Sequence, residues 1–134
     1  MAEALDLEIV TPERLLVKEQ VSEVQIPAKD GYMGILPGHA ALLSELGTGF
    51  LSYTIGGKKR YLAMQGGFVE VLPEHVRILA NLAERAEEID IQKARQDLQR
   101  AENQLGNPAL GVDPARALDE VAIAQARVSA AEQK

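Results

Sequence analysis

The sequence is poor in the residue types on which many protein activities depend. Its 134 residues include no cysteine, no tryptophan, two phenylalanines and two histidines. The missing cysteine excludes disulfides and thiolate catalysis, and it makes a zinc site hard to build. The formal net charge is −6. An acidic chain with so few aromatic rings is a poor candidate for binding nucleic acid or an anionic membrane surface.

Long apolar runs are also missing. No stretch approaches the roughly 20 apolar residues that a membrane helix needs. The acidic start, MAEALD, does not look like a signal peptide. We therefore expect a cytoplasmic polypeptide without direct membrane insertion. Its length has room for one ordinary domain or for a small domain plus an appendage.

The composition changes near residue 83. Nine of the 11 glycines lie at or before Gly67, whereas 12 of the 19 alanines follow Leu82. Glycine favours turns and alanine favours helices. The sequence therefore predicts two domains, a β domain over residues 1–84 and a helical domain over residues 85–134.

Four segments of the first part alternate apolar with polar residues, which is the pattern of half-buried strands. Turn signals rich in glycine and proline lie between them. The alternating apolar positions are Leu5, Leu7 and Ile9; Val24 and Ile26; Leu51, Tyr53 and Ile55; and Val76, Ile78, Ala80 and Leu82. Many short strands joined by tight turns predict an antiparallel β-sandwich or barrel.

The second part has the period of helices. Asp90 is placed to cap a first helix that ends at Gly106, and Asp113 followed by Pro114 predicts the start of a second. The apolar positions at helical spacing are Ile91, Ala94, Leu98, Ala101 and Leu105, then Ala117, Val121, Ala124 and Val128. The short turn at residues 107–111 makes the two helices antiparallel neighbours. The predicted fold class is thus α+β, a β-sandwich followed by a two-helix hairpin.

The seam of this hairpin is mostly alanine, which buries little area. Each of its few Leu, Ile and Val side chains contributes roughly 1.5–3 kcal/mol when fully buried. Ordering two helices costs conformational entropy of comparable size. We therefore expect a hairpin of marginal stability, which a partner can shift between two positions.

Residues 31–40, GYMGILPGHA, are the most informative run of the chain. The run resembles the GILPGH signature of the epsilon subunit of bacterial F-type ATP synthases. The stretches GGFVEV at 66–71, AERA at 83–86 and Ile89-Asp90 follow in that family's order and spacing. The resemblance implies a non-catalytic rotor subunit, peripheral on the cytoplasmic face of the plasma membrane, that couples the γ subunit to the membrane ring of c subunits.

The resemblance assigns the contact with the γ subunit and the membrane ring to the signature loop. Its candidate residues are Tyr32, Met33, Ile35, Leu36 and His39. Many bacterial members carry an acidic residue where this chain has Tyr32, so a tyrosine contact replaces a salt bridge. The alternative is that His39 caps a turn and that Ile35 and Leu36 are core residues.

The resemblance also implies a regulatory ATP site, because some bacterial members bind ATP through Ile/Leu-Asp-x-x-Arg-Ala. Here the motif is Ile89-Asp90-Ile91-Gln92-Lys93-Ala94. Carried over, the candidate ATP-binding residues are Glu84, Ile89, Asp90, Lys93, Ala94, Arg100 and Arg127. Lysine at 93 loses the bidentate fork of arginine, and Ile123 stands where a strongly binding member has another arginine. The alternative is that Asp90 caps the helix and that the other charges form its solvated face.

The C-terminal helices would meet the catalytic α/β head if the family's inhibitory role holds here. The second helix and its end offer three cations against four carboxylates. They are Arg116, Arg127 and Lys134 against Asp113, Asp119, Glu120 and Glu132. We expect little long-range attraction to an acidic partner from this balance.

No catalytic residues, metal ligands or required cofactor are predicted. The two histidines, His39 and His75, lie at turns in different segments, which does not suggest a triad or a metal cluster. The alternative to a rotor subunit is a free-standing nucleotide sensor whose hairpin closes on its ligand.

Overall fold

The computed structural model describes residues 4–107, 109 and 111–133. Some predictions include residues outside these ranges. Residues 1–3 belong to the acidic start and to the predicted β domain. Pro108 and Leu110 belong to the interhelical turn, and Lys134 is one of the C-terminal charges. The strands are β1 (Leu5–Val10), β2 (Leu15–Val21), β3 (Glu23–Ala28), β4 (Gly31–Ile35), β5 (Leu42–Glu45), β6 (Thr48–Ile55), β7 (Lys58–Leu72) and β8 (His75–Arg85). A 3-10 turn (Ala86–Glu88) leads to α1 (Ile91–Leu105) and α2 (Pro114–Glu132).

The described strands form one sheet with the order β2-β1-β8-β7-β6-β3-β4, and β5 pairs with β7. The predicted β-sandwich followed by two helices is confirmed. One pair departs from the antiparallel prediction, since β1 lies parallel to β8. The two strands stand at opposite ends of the domain sequence, so the intervening strands serve as the long connection that a parallel pair requires.

Strand β7 bends and thereby folds the sheet over its own core. It pairs with β6 over residues 58–65 and with β5 over residues 68–71. Gly66 and Gly67, at the point where the partner changes, have φ values of 67° and 113°. A Cβ on Gly67 would collide with the carbonyl oxygen of Leu79, so only glycine fits there.

The main core lies inside the folded sheet and takes residues from seven strands. Its largest fully buried members include Leu5, Leu7, Ile9, Ile26, Ile35, Leu51, Leu62, Met64 and Ile78. Two positions depart from the predicted alternation. Ser52 is only 5% exposed although it points away from this core, whereas Leu82 is 51% exposed. Helix α2 covers the outer face at Ser52, and β8 loses its alternation at Asn81 and Leu82, beside the bend of β7.

Both predicted helix caps are present. The Asp90 carboxylate accepts hydrogen bonds from the backbone N–H groups of Gln92 and Lys93 at 3.1 and 3.2 Å. Asp113 caps α2, and Pro114 stands at its first position. The helices are antiparallel, because Arg95 near the start of α1 pairs with Glu132 at the end of α2.

The hairpin is closed onto the β domain. Helix α2 packs against β6, β7 and α1 through a second, smaller apolar cluster that is separate from the main core. This hairpin cluster consists of Ala63, Ala86, Ile89, Ala94, Ala126, Val128, Ala130 and Ala131, with Phe50, Tyr61, Ile91, Leu98 and Ile123 packed against it. Because small side chains dominate it, the contact is close but buries modest apolar area per residue.

Candidate functional site

Arg127 of α2 binds both the β domain and α1. Its Nε donates to Glu84 Oε2 at 2.9 Å and its Nη2 to Glu84 Oε1 at 3.4 Å. Its Nη1 donates to Asp97 Oδ2 at 3.3 Å. The hydrogen bond to Glu84 is the main cause that raises the pKa of Arg127 above its ordinary value, so the guanidinium stays charged. A single side chain thus holds α2 on β8 and on α1.

The Asp97 carboxylate forms ion pairs with three cationic side chains. Besides pairing with Arg127, the carboxylate lies 3.4 Å from Lys93 Nζ and 3.4 Å from Arg100 Nη2. We call Glu84, Asp97, Lys93, Arg100 and Arg127 the clamp cluster. Sequence reasoning missed Asp97, although its spacing of four residues after Lys93 and three before Arg100 is the signal of helical ion pairs.

Two open grooves meet at the clamp cluster. The first has a volume of about 460 Å³ and is lined by Arg14, Ala63, Leu82, Ala83, Glu84, Glu88, Ile123 and Arg127. The second, between α1 and α2, measures about 450 Å³ and is lined by Lys93, Asp97, Arg100, Ala101, Gln104, Glu120, Ile123, Ala124 and Arg127. The structure therefore brings Glu84, Lys93, Arg100 and Arg127 of the predicted ATP site together around adjoining grooves.

The other predicted ATP-site residues are either buried in the hairpin cluster or cap a helix. Ile89 is 2% exposed and Ala94 is 0% exposed, and both belong to the hairpin cluster. The Asp90 carboxylate is the cap of α1. The packing of the hairpin leaves almost no surface of Ile89 and Ala94 exposed, so their role as direct ATP contacts stays a prediction that requires this packing to change.

A second set of ion pairs fixes the connection between sheet and helices. Arg14, in the turn between β1 and β2, donates to both Glu88 oxygens at 2.9 and 3.1 Å. Arg85 Nε donates to Glu88 at 3.2 Å. The bond from Arg14 is the main cause that lowers the pKa of Glu88 below its ordinary value. Glu88 is therefore ionised at neutral pH and holds the 3-10 turn against the sheet.

The signature loop has an outer and an inner side. Tyr32 and Leu36 are exposed and His39 is half-buried. Met33 packs against the main core and Ile35 is fully buried within it, as the core alternative for Ile35 predicted. The Tyr32 hydroxyl accepts a hydrogen bond from the backbone N–H of Phe50 at 3.2 Å.

The turn after β4 is joined to the turn between β7 and β8. The His39 N–H donates to the Leu36 carbonyl at 3.1 Å, and the Gly38 N–H donates to the Pro73 carbonyl at 2.7 Å. The His39 ring nitrogen Nδ1 lies 2.7 Å from the Ala40 carbonyl oxygen. These bonds hold the turn that follows Leu36 against Pro73, the residue after β7.

Large apolar side chains are exposed on the outer face of the sheet near this turn. Phe68 of β7 lies directly opposite Leu79 of β8, and Leu43 of β5 lies opposite Glu70, two residues from Phe68. We call Leu36, Leu43, Phe68, Leu72 and Leu79 the apolar strip; each is between 41% and 72% exposed. Sequence reasoning missed it except at Leu36, because Phe68 and Leu79 occupy the polar phase of their strands.

Within the described residues there is no helix long and apolar enough to cross a membrane. No group of three or more histidine or acidic side chains is arranged to hold a metal ion in that same part of the chain.

Comparison with known proteins gives matches over nearly the whole chain. The family of the ATP synthase delta/epsilon chain matches with its beta-sandwich domain over residues 4–86 and with its long alpha-helix domain over residues 87–132. The chain is 58% identical to an "ATP synthase epsilon chain" from Solibacter usitatus over 134 residues, which is 100% of both chains. It is 44% identical to that of Nitratidesulfovibrio vulgaris strain DP4, with 96% of each covered.

One solved structure supports the same likeness. A chain in the cryo-EM structure of the Euglena gracilis mitochondrial ATP synthase, described as OSCP/F1/c-ring, superposes with a TM-score of 0.84 at 27% identity. The alignment covers 98% of this chain and 83% of that one.

Proposed function

Since this chain belongs to the family of ATP synthase delta/epsilon chains and is a non-catalytic epsilon subunit, we propose that it joins γ to the membrane ring of c subunits as part of the rotor. In this proposal it sits peripherally at the cytoplasmic face of a bacterial plasma membrane. Residues 1–84 form the docking domain and residues 85–134 a separable regulatory domain that reaches the α/β head.

The apolar strip is the observation on which the docking proposal depends. Exposed large apolar side chains on one face of a sheet, here the opposed pair Phe68 and Leu79 with Leu43 nearby, indicate a protein interface. The strip lies on the sheet face, which suits a broad contact with γ. The turn at Leu36 and His39, held at the end of the strip by the bond to Pro73, suits the ring, with Tyr32 at the other end of β4.

Charged substitutions in the strip test the docking surface. We expect Phe68→Asp and Leu79→Asp to weaken binding to γ by at least about tenfold, because a carboxylate would be buried against an apolar partner surface. Both side chains are already half exposed, so the fold is expected to persist. The matched control is Leu118→Asp, an exposed leucine on α2. Binding of both strip variants at the wild-type affinity would contradict the proposal.

ATP is proposed as a weak regulatory ligand of the hairpin. The support is the convergence of Lys93, Arg100 and Arg127 on adjoining grooves with Glu84. Arg127 would need to exchange carboxylate partners for phosphate oxygens, and Ile123 supplies no charge, so the affinity is expected to be low.

The same grooves support the second candidate function, a free-standing nucleotide sensor. Two measurements separate the rotor subunit from the nucleotide sensor: thermal unfolding of the isolated chain with millimolar ATP, and binding of the chain to γ. A rotor subunit with weak nucleotide binding gives a small shift and tight binding to γ. A large shift without binding to γ would favour the sensor.

A further inference from the structure

Lys93, Arg100 and Arg127 surround an anionic group of the protein itself, the Asp97 carboxylate. The three cationic groups lie 3.4, 3.4 and 3.3 Å from oxygens of Asp97. Lys93 and Arg100 come from α1 and Arg127 from α2, so the carboxylate joins the two helices. Three cationic donors around one small anion form the environment in which proteins bind phosphate groups.

We propose that Asp97 is a resident anion, which occupies the phosphate position of the groove and keeps the hairpin closed without a ligand. The inference deepens the proposed regulation and rests on the proposed nucleotide groove, not on docking to γ. A polyphosphate must displace Asp97 before it can bind the same cations. Wild-type closure therefore depends only weakly on added anions, in contrast to a hairpin that closes only on its ligand.

Loss of the Asp97 charge has a defined consequence. The three cations would then face Glu84 as the remaining carboxylate of the clamp cluster. Glu120 of α2 also lines the groove, but it pairs with Arg116 at 3.3 Å. Mutual repulsion of the cations across the α1–α2 contact would favour opening, and an added polyanion would replace the missing charge.

The test uses the full chain labelled for energy transfer. Because the sequence has no cysteine, Lys58→Cys on the β domain and Gln133→Cys after α2 place one dye on each side of the closing contact. We expect Asp97→Asn to raise the open population by about tenfold, which is what the loss of an ion-pair network of modest strength gives. Tripolyphosphate or ATP at millimolar concentration should close it again, whereas adenosine should not. The wild type, which is already closed, should respond to tripolyphosphate and ATP far less than the variant does.

Two further variants make the test specific. Glu102→Gln removes an exposed carboxylate of α1 that does not line this groove, and it should leave the hairpin closed. Adding Arg100→Gln to Asp97→Asn should remove most of the response to tripolyphosphate.

Several outcomes would overturn the inference. They are a closed Asp97→Asn variant, closure by ATP alone and not by tripolyphosphate, equal anion responses in wild type and variant, or a response that survives the loss of Arg100. Binding of the wild-type chain to γ is measured separately. Its absence would count against the rotor proposal and would leave the resident-anion result unaffected.

Discussion

Replacing Arg127 with glutamine should loosen α2 while leaving the β domain intact. The change removes the charge that pairs with Glu84 and Asp97. An exposed ion pair contributes about 0.2–1 kcal/mol, and breaking a buried one costs about 3–5 kcal/mol. The three side chains are between 21% and 31% exposed, so the site lies between these limits. We expect a cost of about 1–2 kcal/mol, which corresponds to a factor of roughly 5–30 in the closing equilibrium.

Hydrogen exchange resolved by residue measures this effect. Protection of the α2 amides over residues 124–131 should fall by that factor, while the amides of β1 and β8 should exchange as in the wild type. Arg116→Gln is the matched control, because Arg116 is an exposed arginine of α2 that pairs within its own helix, with Glu120. Unchanged protection of α2, or an equal loss throughout the sheet, would refute the reasoning.

Three other substitutions give distinct results. Gly67→Ala should destabilise the β domain by at least about 2 kcal/mol in urea unfolding, because its backbone is strained for a side chain and the Cβ would meet the Leu79 carbonyl. Ala130→Leu should cost about 1–3 kcal/mol in the closing equilibrium, because this alanine of α2 is fully buried in the hairpin cluster. Arg14→Gln should remove a pH-dependent part of stability, which is complete above the ordinary pKa of 4.5 for Glu88 and is lost as the pH falls through its lower folded value.

Each of these predictions has a control. Gly34→Ala in β4 has open space and ordinary backbone, so it should be nearly neutral. Ala115→Leu places the same larger side chain on an exposed position of α2. For Arg14→Gln, the difference from the wild type should shrink at low pH; a difference that grows there would contradict the sign of the Glu88 effect.

Local signals were enough to predict the elements of this fold. Asp90 and Asp113 cap their helices because a cap depends on a few neighbouring residues. The glycine pair 56–57, with φ values of 55° and 79°, makes the tight turn between β6 and β7 for the same reason. Which side chains become covered by other elements could not be read from the pattern. Ser52 is buried on the face that α2 covers, and Leu82 is exposed where β8 loses its alternation beside the bend of β7.

The candidate site was predicted in part. The charged residues Glu84, Lys93, Arg100 and Arg127 were selected by resemblance, and they do converge. The pairing of Arg127 with Glu84 and Asp97 depends on how α2 lies on β8 and α1, which sequence spacing does not specify. The apolar strip escaped prediction because only strand register places Leu43, Phe68 and Leu79 on the same face of the sheet.

The most direct test of the rotor proposal uses a cognate ATPase head that contains γ but lacks this subunit. Full-length protein, or a version that ends at Glu88, is added, and both binding and ATP hydrolysis are followed. We predict that both forms bind with similar affinity, because the apolar strip lies in the β domain, and that only the full-length chain slows hydrolysis. Failure of both forms to bind would contradict the rotor proposal.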